Sequence, residues 1–315
     1  MRKFMASGWV HLLLTLVTIS WGFNNIALKF GFAYVTPEQF SGIRLIMALP
    51  FMLFFTFLLP NRVPFSSKDF WLITLVGLVG LGVFQTLFPI GIDETSAPLG
   101  GILMATMPIH VVVISLVFRL ERPQLKSILG VFLTIAGLAL ITFSSANDGT
   151  ETHTTLRGIL FVVLSELGYA VNTTFLRNFM KRYPPLQVTG LAMSVSVLFY
   201  LLVNLGEMRS LTFAAIHPVV WATATYSGLV AFLLANVIWN LAVKHIGSTQ
   251  VSVYGNLPPV FVMLLSAIFF QELLNGWQLV GSLVILGGVV LVQMRKQPTA
   301  EESLASVLSV ERQDP

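Results

Sequence analysis

Long apolar stretches alternate with short polar ones along the whole chain. A helix needs about 20 apolar residues to cross the hydrocarbon core of a membrane, and ten stretches approach that length. The predicted spans are residues 9–31, 38–59, 70–90, 97–118, 125–144, 157–178, 186–205, 218–241, 248–270 and 276–294. Their apolar residues are continuous rather than alternating, which disfavours the strands of an outer-membrane barrel. The pattern therefore predicts an all-α integral membrane protein with ten transmembrane helices.

A block of this sequence occurs twice. Seven residues recur 151 positions later, unchanged in type and without a gap: Pro108/Pro259, Val111/Val262, Ser115/Ser266, Phe118/Phe269, Glu121/Glu272, Gly130/Gly281 and Gly137/Gly288. Upstream, an offset of 148 aligns Asn24 with Asn172. Chance similarity between apolar sequences does not place prolines, a glutamate and glycines at fixed spacing, so we infer an internal duplication.

The two copies are predicted to form two domains, residues 9–144 and 157–294, with five spans each. Because five is odd, the second copy must enter the membrane from the opposite side. Two inverted five-helix repeats around a central cavity are a plan shared by many secondary transporters. The polar residues 295–315 are expected to form a disordered cytoplasmic tail.

Composition supports a membrane protein and excludes several chemistries. The 315 residues are 55% hydrophobic and only 10% charged, whereas a soluble domain is about 25% charged. Such a chain cannot cover a water-facing surface. It contains no cysteine, so disulfides, thiolate catalysis and cysteine-ligated metals are excluded.

Basic residues concentrate on one side of the predicted topology. With a cytoplasmic amino terminus, the inner loops carry Arg2, Lys3, Arg62, Lys68, Arg119, Arg122, Lys126, Lys181, Arg182, Lys244, Arg295 and Lys296. The outer loops and helix ends carry only Lys29, Arg157 and Arg209. This bias follows the positive-inside rule and predicts both termini in the cytoplasm. It also explains the pI of about 9.5 without a nucleic-acid partner.

The duplicated block resembles the EamA-like family of the drug/metabolite transporter superfamily. The resemblance rests on a proline-containing helix, a glutamate at the next turn and a glycine-containing last helix in each repeat, here Pro108, Glu121, Gly130 and their copies. Trp21-Gly22 and Arg44 also fit the family pattern. The resemblance covers about residues 9–294 and implies a ten-helix transporter of the bacterial inner membrane. Relatives of this kind export amino acids, cofactor-like metabolites and drugs, so the cargo is not identified.

Glu166 is the sharpest candidate for a functional residue. It lies about nine residues into the sixth span, near the bilayer midplane. An acidic side chain there is costly and must face protein or water. It is either a proton-coupling or substrate-amine site, or a protonated glutamate hydrogen-bonded to a neighbouring helix. Thr18 occupies the matching position of the other repeat, and this asymmetry favours a ligand site.

Arg44 is the second charged candidate, about two turns below the outer end of its span. It can bind a substrate carboxylate, snorkel to the outer surface or pair with Glu166 as a structural ion pair.

Polar and aromatic residues inside other spans complete the candidate substrate-binding set: Asn24, Gln85, Asn172, Asn236, Trp239, Asn240, Tyr254 and Asn256. The pairs Asn24/Asn172 and Gln85/Asn236 are matched by the repeat, so these amides either join helices or line an aqueous cavity. The others break the symmetry. Together they would form a pocket with aromatic walls and a few polar points.

Prolines and glycines mark where the helices should bend or cross. Pro108 and the pair Pro258-Pro259 lie inside the fourth and ninth spans, which are predicted to kink as movable hinges or as fixed bends. The glycines at 130 and 137, like those at 281 and 288, are seven apart and share one helix face. They predict close packing of the fifth and tenth spans, as scaffold or as the seam of a possible homodimer.

No catalytic, metal or nucleotide motif stands out. The glycine-rich run Gly77-x-x-Gly80-x-Gly82 lies within a span and has no phosphate-loop context. No His, Asp and Glu cluster has metal spacing, and no cofactor is expected. We predict a secondary transporter, an exporter of small amphipathic metabolites such as amino acids, working by alternating access and coupled to protons, with membrane lipid as its surroundings.

Three alternatives remain open at this stage. The cargo can be a drug or a cofactor-like molecule. The chain can be a non-transporting membrane receptor or assembly protein, although its short tail offers no docking domain. A membrane enzyme would have to rely on Glu166, His110 and Ser165, which form a weak set.

Overall fold

The computed structural model describes residues 2–118, 125–147, 154–246, 251, 253–271 and 274–293. Over these residues the chain is helical and contains no strand. Seven of the described helices are long and apolar enough to span a membrane, and three shorter apolar helices accompany them. We number the resulting ten spans α1 to α10 in chain order.

The first repeat comprises α1 (Arg2–Phe32), α2 (Pro37–Phe57), α3 (Ser67–Asp93), α4 (Ala97–Met104 and Met107–Val117) and α5 (Leu125–Asn147). The second comprises α6 (Leu156–Phe179), α7 (Pro185–Val203), α8 (Pro218–Thr225, Tyr226–Leu234 and Ala235–Ile246), α9 (Val253–Asn256 and Pro258–Phe269) and α10 (Gly276–Gln293). A short helix, Leu205–Arg209, follows α7. The motif residues Glu121 and Glu272 and the predicted tail, 295–315, lie outside the described residues.

Helix starts follow the capping signals in the sequence. The Thr36 hydroxyl accepts a hydrogen bond from the Gln39 backbone N–H at 3.2 Å, and the Gln39 side chain accepts one from the Thr36 N–H at 3.3 Å. This reciprocal pair is a capping box, with proline at the first helical position of α2. Thr155 caps α6 in a similar way, accepting a hydrogen bond from Gly158 N–H at 2.9 Å.

Matched helices of the two repeats run in opposite directions. Near the end of α1, the Lys29 ammonium donates to the Thr95 carbonyl at 2.6 Å. Arg157, at the start of α6, bonds Glu94 beside that carbonyl. The start of α2 likewise bonds the segment that follows α7. The end of α1 thus lies beside the start of its copy α6, and the start of α2 lies beside the end of its copy α7, as the predicted inverted repeat requires.

The two repeats interleave rather than lie side by side. Helix α1 packs on α8 and α9 of the other repeat, and α6 packs correspondingly on α3 and α4. Helix α2 pairs with its own copy α7, and α5 pairs with α10. Both apolar clusters of the interior therefore mix the repeats, as Leu45 with Leu191 in one and Leu28 with Val162 in the other.

Helices α5 and α10 cross at the repeated glycines. A Cβ atom on Gly137 would lie 2.7 Å from the Gly281 carbonyl oxygen, and one on Gly288 would lie 2.6 Å from that of Gly130. Only glycine permits so close an approach of two backbones. The crossing is reciprocal under the repeat and joins the two helices within one chain.

Helices α4 and α9 are broken at matched positions. In α4 the helix stops at Met104 and a new one starts at Met107, so Pro108 falls in a first turn. In α9 a 3₁₀ turn, Val253–Asn256, precedes a helix that begins at Pro258. A proline in the first turn of a helix removes no intrahelical hydrogen bond. The bends predicted at these prolines are therefore breaks between two helical pieces.

A second irregularity is also repeated. Helix α3 contains a π-helical turn at Leu78–Gly82, and α8 contains one at Tyr226–Leu234, which includes the matched residues 229–233. Such turns insert an extra residue into the hydrogen-bonding ladder and are frequent at functional sites. Each adjoins a close helix contact, because a Cβ on Gly77 would meet the Ala192 backbone and one on Gly228 the Arg44 backbone.

Candidate functional site

A cavity opens between the two repeats, beside the breaks in α4 and α9. Its atom-free space is about 650 Å³, including the part open to solvent. The wall consists of Trp21, Asn24, Arg44, Phe84, Phe88, Met104, Met107, Glu166, Tyr169, Ala231, Phe232, Asn236, Trp239, Gly255 and Pro258. Among the described residues, α1 to α4, α6, α8 and α9 contribute to it, whereas α5, α7 and α10 do not.

Glu166 lies in the cavity wall and is 4% exposed. Within the described part of the chain, its carboxyl group makes no hydrogen bond and no ion pair. Its neighbour Ser165 instead donates to the Val162 carbonyl at 2.6 Å, within the same helix. Neither the bond to a neighbouring helix nor the ion pair with Arg44 that the sequence left open is present. The carboxyl group is directed to the cavity.

Arg44 reaches the same cavity and is held from two sides. Its Nη2 donates to the Gln85 side-chain oxygen at 2.6 Å, and its Nη1 lies 3.4 Å from the Ser227 hydroxyl. The guanidinium carbon lies 5.9 Å from the centre of the Phe232 ring. Because the residue is only 3% exposed, it does not snorkel to the surface. Gln85 does not line the cavity but orients the arginine from behind.

Aromatic side chains from the two repeats meet at the cavity. Trp21 and Tyr169 occupy matched positions of α1 and α6, and their rings meet edge to face with centroids 5.9 Å apart. Trp239 packs on Trp21 with centroids 4.9 Å apart. The Tyr169 hydroxyl donates to Asn236 Oδ1 at 3.0 Å, which ties α6 to α8. The pseudo-twofold axis relating the repeats therefore passes through this aromatic group.

The sequence did not single out Trp21 or Tyr169 as site residues. A signal was present, since Tyr169 is three residues after Glu166 and Trp21 three before Asn24, on the same helix faces. The methionines and phenylalanines of the wall carry no such signal, because apolar side chains are ordinary in a membrane span.

The candidate amides separate into two groups. Asn24 and Asn236 line the cavity. Asn24 Oδ1 is buried without a hydrogen-bond partner, whereas the Asn236 side chain also donates to the Phe232 carbonyl at 2.7 Å. Asn172 is buried at a helix crossing instead, where its Cβ would lie 2.8 Å from a Cβ on Gly80. The matched asparagines therefore occupy different environments.

Several other candidate residues predicted from the sequence do not line the cavity. Asn240 is buried, but the cavity does not reach it. The Tyr254 hydroxyl lies 2.6 Å from His11 Nδ1, with the rings stacked at 5.8 Å. The side chain of Asn256 lies outside the described structure. His110 is likewise absent from the wall, and its Nδ1 atom is buried without a hydrogen-bond partner.

The two ion pairs found between described residues lie at the ends of helices. At one membrane face, hydrogen bonds from the Arg157 guanidinium hold the pKa of Glu94 below its usual value. At the other face, Asp69 pairs with Arg182 at 3.0 Å. In the described part of the chain, no group of three His, Asp or Glu side chains is placed to hold a metal ion. The cavity thus combines one acidic and one basic side chain with amides inside an apolar wall, an arrangement suited to binding an amphipathic molecule.

Comparison with known proteins gives consistent matches. The profile of the EamA-like transporter family matches twice, over residues 8–143 and 156–294. The uncharacterized transporter YvbV of Bacillus subtilis is 27% identical over 293 residues, covering 91% of this chain and 92% of that protein. An uncharacterized transporter of Archaeoglobus fulgidus is 24% identical, covering 91% and 98%. A WAT1-related protein of Arabidopsis thaliana is 25% identical, covering 82% and 74%.

A solved crystal structure shares the fold. It has a TM-score of 0.61 at 17% sequence identity and covers 90% of this chain and 96% of its own. The family profile accounts for both five-helix repeats, and the cavity lies where those repeats meet. The chain is therefore a multi-pass membrane transporter that belongs to the EamA-like transporter family.

Proposed function

We propose that this transporter exports small amphipathic metabolites, such as amino acids or related compounds, by alternating access and in exchange for protons. It would reside in a bacterial inner membrane with both termini in the cytoplasm. The cargo would bind in the central cavity, and Glu166 would carry the exchanged proton. The chain would move its cargo without a catalytic step.

The observation that carries this proposal is the unpaired carboxyl group of Glu166 in the cavity wall. A buried carboxylate without a partner is costly. Two events can remove that cost: protonation of the carboxylate or binding of a cationic amine. If each excludes the other, a proton and an amine-bearing cargo must occupy the site alternately. That competition is sufficient to couple export of the cargo to entry of protons.

The chemistry of the wall supports the cargo class. Arg44 offers a guanidinium group, which pairs with carboxylates through two parallel hydrogen bonds. Glu166 offers the opposite charge for an amino group. The apolar part of the cargo would lie against Trp21, Phe84 and Phe232. A small zwitterion with an apolar side chain satisfies all three parts of the wall.

Alternating access is supported by the repeated irregularities of the helices. The breaks in α4 and α9 and the π-helical turns in α3 and α8 adjoin the cavity at matched positions. Irregular backbone is tolerated at membrane depth only where it is buried in protein or lines a water-filled space. Such points can absorb a rocking movement of one repeat against the other while each helix stays intact on either side.

The test is uptake driven by a pH gradient in vesicles that contain the purified transporter. The cargo would first be identified by growth resistance of overexpressing cells against a panel of amino acids and their analogues. Glu166→Gln keeps the shape of the side chain but removes its ability to bind and release a proton. We expect it to lower gradient-driven uptake at least about tenfold.

The matched control is Glu207→Gln, which changes an exposed carboxylate outside the cavity wall and should leave uptake unchanged. Gradient-driven uptake at the wild-type rate in Glu166→Gln would remove this residue from the coupling mechanism. A chain that moves none of the panel compounds but does move a dye-like drug would reject the proposed cargo class.

A further inference from the structure

A second cavity lies apart from the central one, at the membrane face where α3 begins and α6 ends. It contains about 750 Å³ of atom-free space, including its open side. Lys68, Leu72 and Val76 line it from α3, and Phe175, Asn178 and Arg182 line it from the end of α6 and the turn that follows. It shares no lining residue with the central cavity. We call this cavity the α3–α6 groove.

The groove has a charged mouth and an apolar floor. Lys68 and Arg182 are exposed at the ends of their helices. Leu72 and Val76 follow Lys68 by one and two turns, about 6 and 12 Å deeper along α3. Phe175 lies at a comparable depth on α6, two turns before Arg182. The groove therefore passes from the interface into the hydrocarbon region, a gradient that matches an amphiphile lying along the two helices.

The charges at the mouth favour an anion. Asp69 is already satisfied, because Arg182 binds both its oxygens at 3.0 and 3.1 Å and the Tyr183 hydroxyl donates to it at 2.7 Å. Lys68 has no ion pair within the described structure. The mouth thus carries a net charge of +1. Arg182, fixed by Asp69 yet 60% exposed, keeps its other N–H groups available to a phosphate.

We propose that the α3–α6 groove binds an anionic phospholipid. Its phosphate would lie between Lys68 and Arg182, and one acyl chain would follow the floor past Leu72 and Val76. Helices α3 and α6 belong to different repeats, so the lipid would hold the repeats together at this face beside the Asp69–Arg182 contact. The site is independent of the cargo and of the proton coupling proposed above.

Thermal unfolding of the full-length transporter in a non-ionic detergent tests the site. Phosphatidylglycerol is compared with phosphatidylcholine of the same acyl chains and with inorganic phosphate. We expect phosphatidylglycerol to raise the Tm of the wild type by about 5 °C at saturation, while the other two leave it unchanged. Lys68→Gln should lose most of this rise, and Lys126→Gln, an exposed lysine at the start of α5, should keep it.

A second variant separates the groove from general surface charge. Val76→Phe fills the floor and leaves every charge in place, so it should abolish both the Tm rise and the retention of phosphatidylglycerol in native mass spectrometry. An equal rise with phosphatidylcholine would overturn the proposal, as would an equal loss in Lys126→Gln. A full rise with inorganic phosphate alone would also overturn it, because the mouth would then be only an anion site.

Discussion

At the scale of single residues, Arg44 shows how the fold sets the direction of one charge. Gln85 from α3 and Ser227 from α8 hold its guanidinium group, so both repeats fix the orientation of a side chain that belongs to α2. The Gln85 amide nitrogen is buried and has no hydrogen-bond partner. Replacing that nitrogen by an oxygen therefore breaks no hydrogen bond.

This geometry allows the role of Arg44 in binding to be separated from a role in packing. Gln85→Glu places a carboxylate against the guanidinium and neutralises it. If Arg44 binds the cargo carboxylate, losing that charge-assisted bond, about 1.5–3 kcal/mol, should raise the KM of carboxylate cargo about tenfold or more. The Tm should not fall. Ser227→Ala removes only the longer contact and serves as control; an unchanged KM in Gln85→Glu would make Arg44 a packing residue.

The charged residues of the cavity could be predicted from the sequence, whereas most of the apolar residues in its wall could not. The cost of a polar group in lipid is visible in sequence, and Glu166, Arg44, Asn24 and Asn236 all line the cavity. The direction of a polar side chain depends on which helices pack around it, which no single span reveals. Tyr254 consequently bonds His11 instead of lining the cavity with Trp239.

At the scale of elements, the α5–α10 pair shows how glycine position decides a helix crossing. A Cβ on Gly288 would lie 2.6 Å from both the Gly130 carbonyl oxygen and the Thr134 hydroxyl oxygen. The adjacent Gly287 would meet nothing within 4 Å. In α10, an added methyl group would therefore clash with α5 at Gly288 but would meet no neighbouring atom at Gly287.

Alanine substitutions at these two glycines should differ sharply. Gly288→Ala forces α5 and α10 apart, and overpacking of this kind costs about 1–3 kcal/mol. Gly137→Ala should cost a similar amount, since it makes the reciprocal contact with Gly281. Gly287→Ala should leave the stability unchanged or slightly raised. Unfolding in a mixed-detergent titration measures all three; equal stability of Gly288→Ala and Gly287→Ala would contradict the crossing.

The broken and π-helical segments mark the limit of prediction at this scale. The prolines at 108, 258 and 259 indicate that α4 and α9 cannot be regular, but they do not distinguish a kink from a new helix start. The π-helical turns carry no proline and lie where α3 packs on α7 and where α8 packs on α2. Each lies beside a close backbone contact, and the contacting residues are 115 positions apart in the case of Gly77 and Ala192, so a single span does not reveal it.

At the scale of the whole molecule, the symmetry of the scaffold and the asymmetry of the cavity have different origins. Scaffold contacts come in pairs, such as α3 on α6 with α8 on α1. The charged residues of the cavity do not, because the position that matches Glu166 in the other repeat is Thr18 and the position that matches Arg44 is Ala192. In the proposed mechanism, the duplicated scaffold would supply two equivalent gates, while the unmatched side chains would bind a cargo whose two ends differ.

The inverted repeat also fixes which surface residues share a face of the membrane. The chain has no cysteine, so single cysteines report topology without background labelling. Exposed positions at the start of α5 and the end of α8, Lys126→Cys and Lys244→Cys, should both react from the cytoplasmic side. Arg157→Cys and Glu207→Cys should both react with an impermeant maleimide added to intact cells. All four should react after permeabilisation, which controls for buried thiols.

The pairing of these four positions tests more than orientation. If both pairs exchange sides together, the positive-inside assignment is wrong but the inverted architecture stands. If Lys126→Cys and Lys244→Cys react from different sides, the two repeats cannot be antiparallel. Helices α5 and α8 belong to different repeats, and the four spans α5 to α8 lie between residues 126 and 244. Two residues share a face of the membrane only when an even number of crossings lies between them. Such a split would leave no common cavity for Glu166 and Arg44, and the proposed coupling between cargo and proton would fall with it.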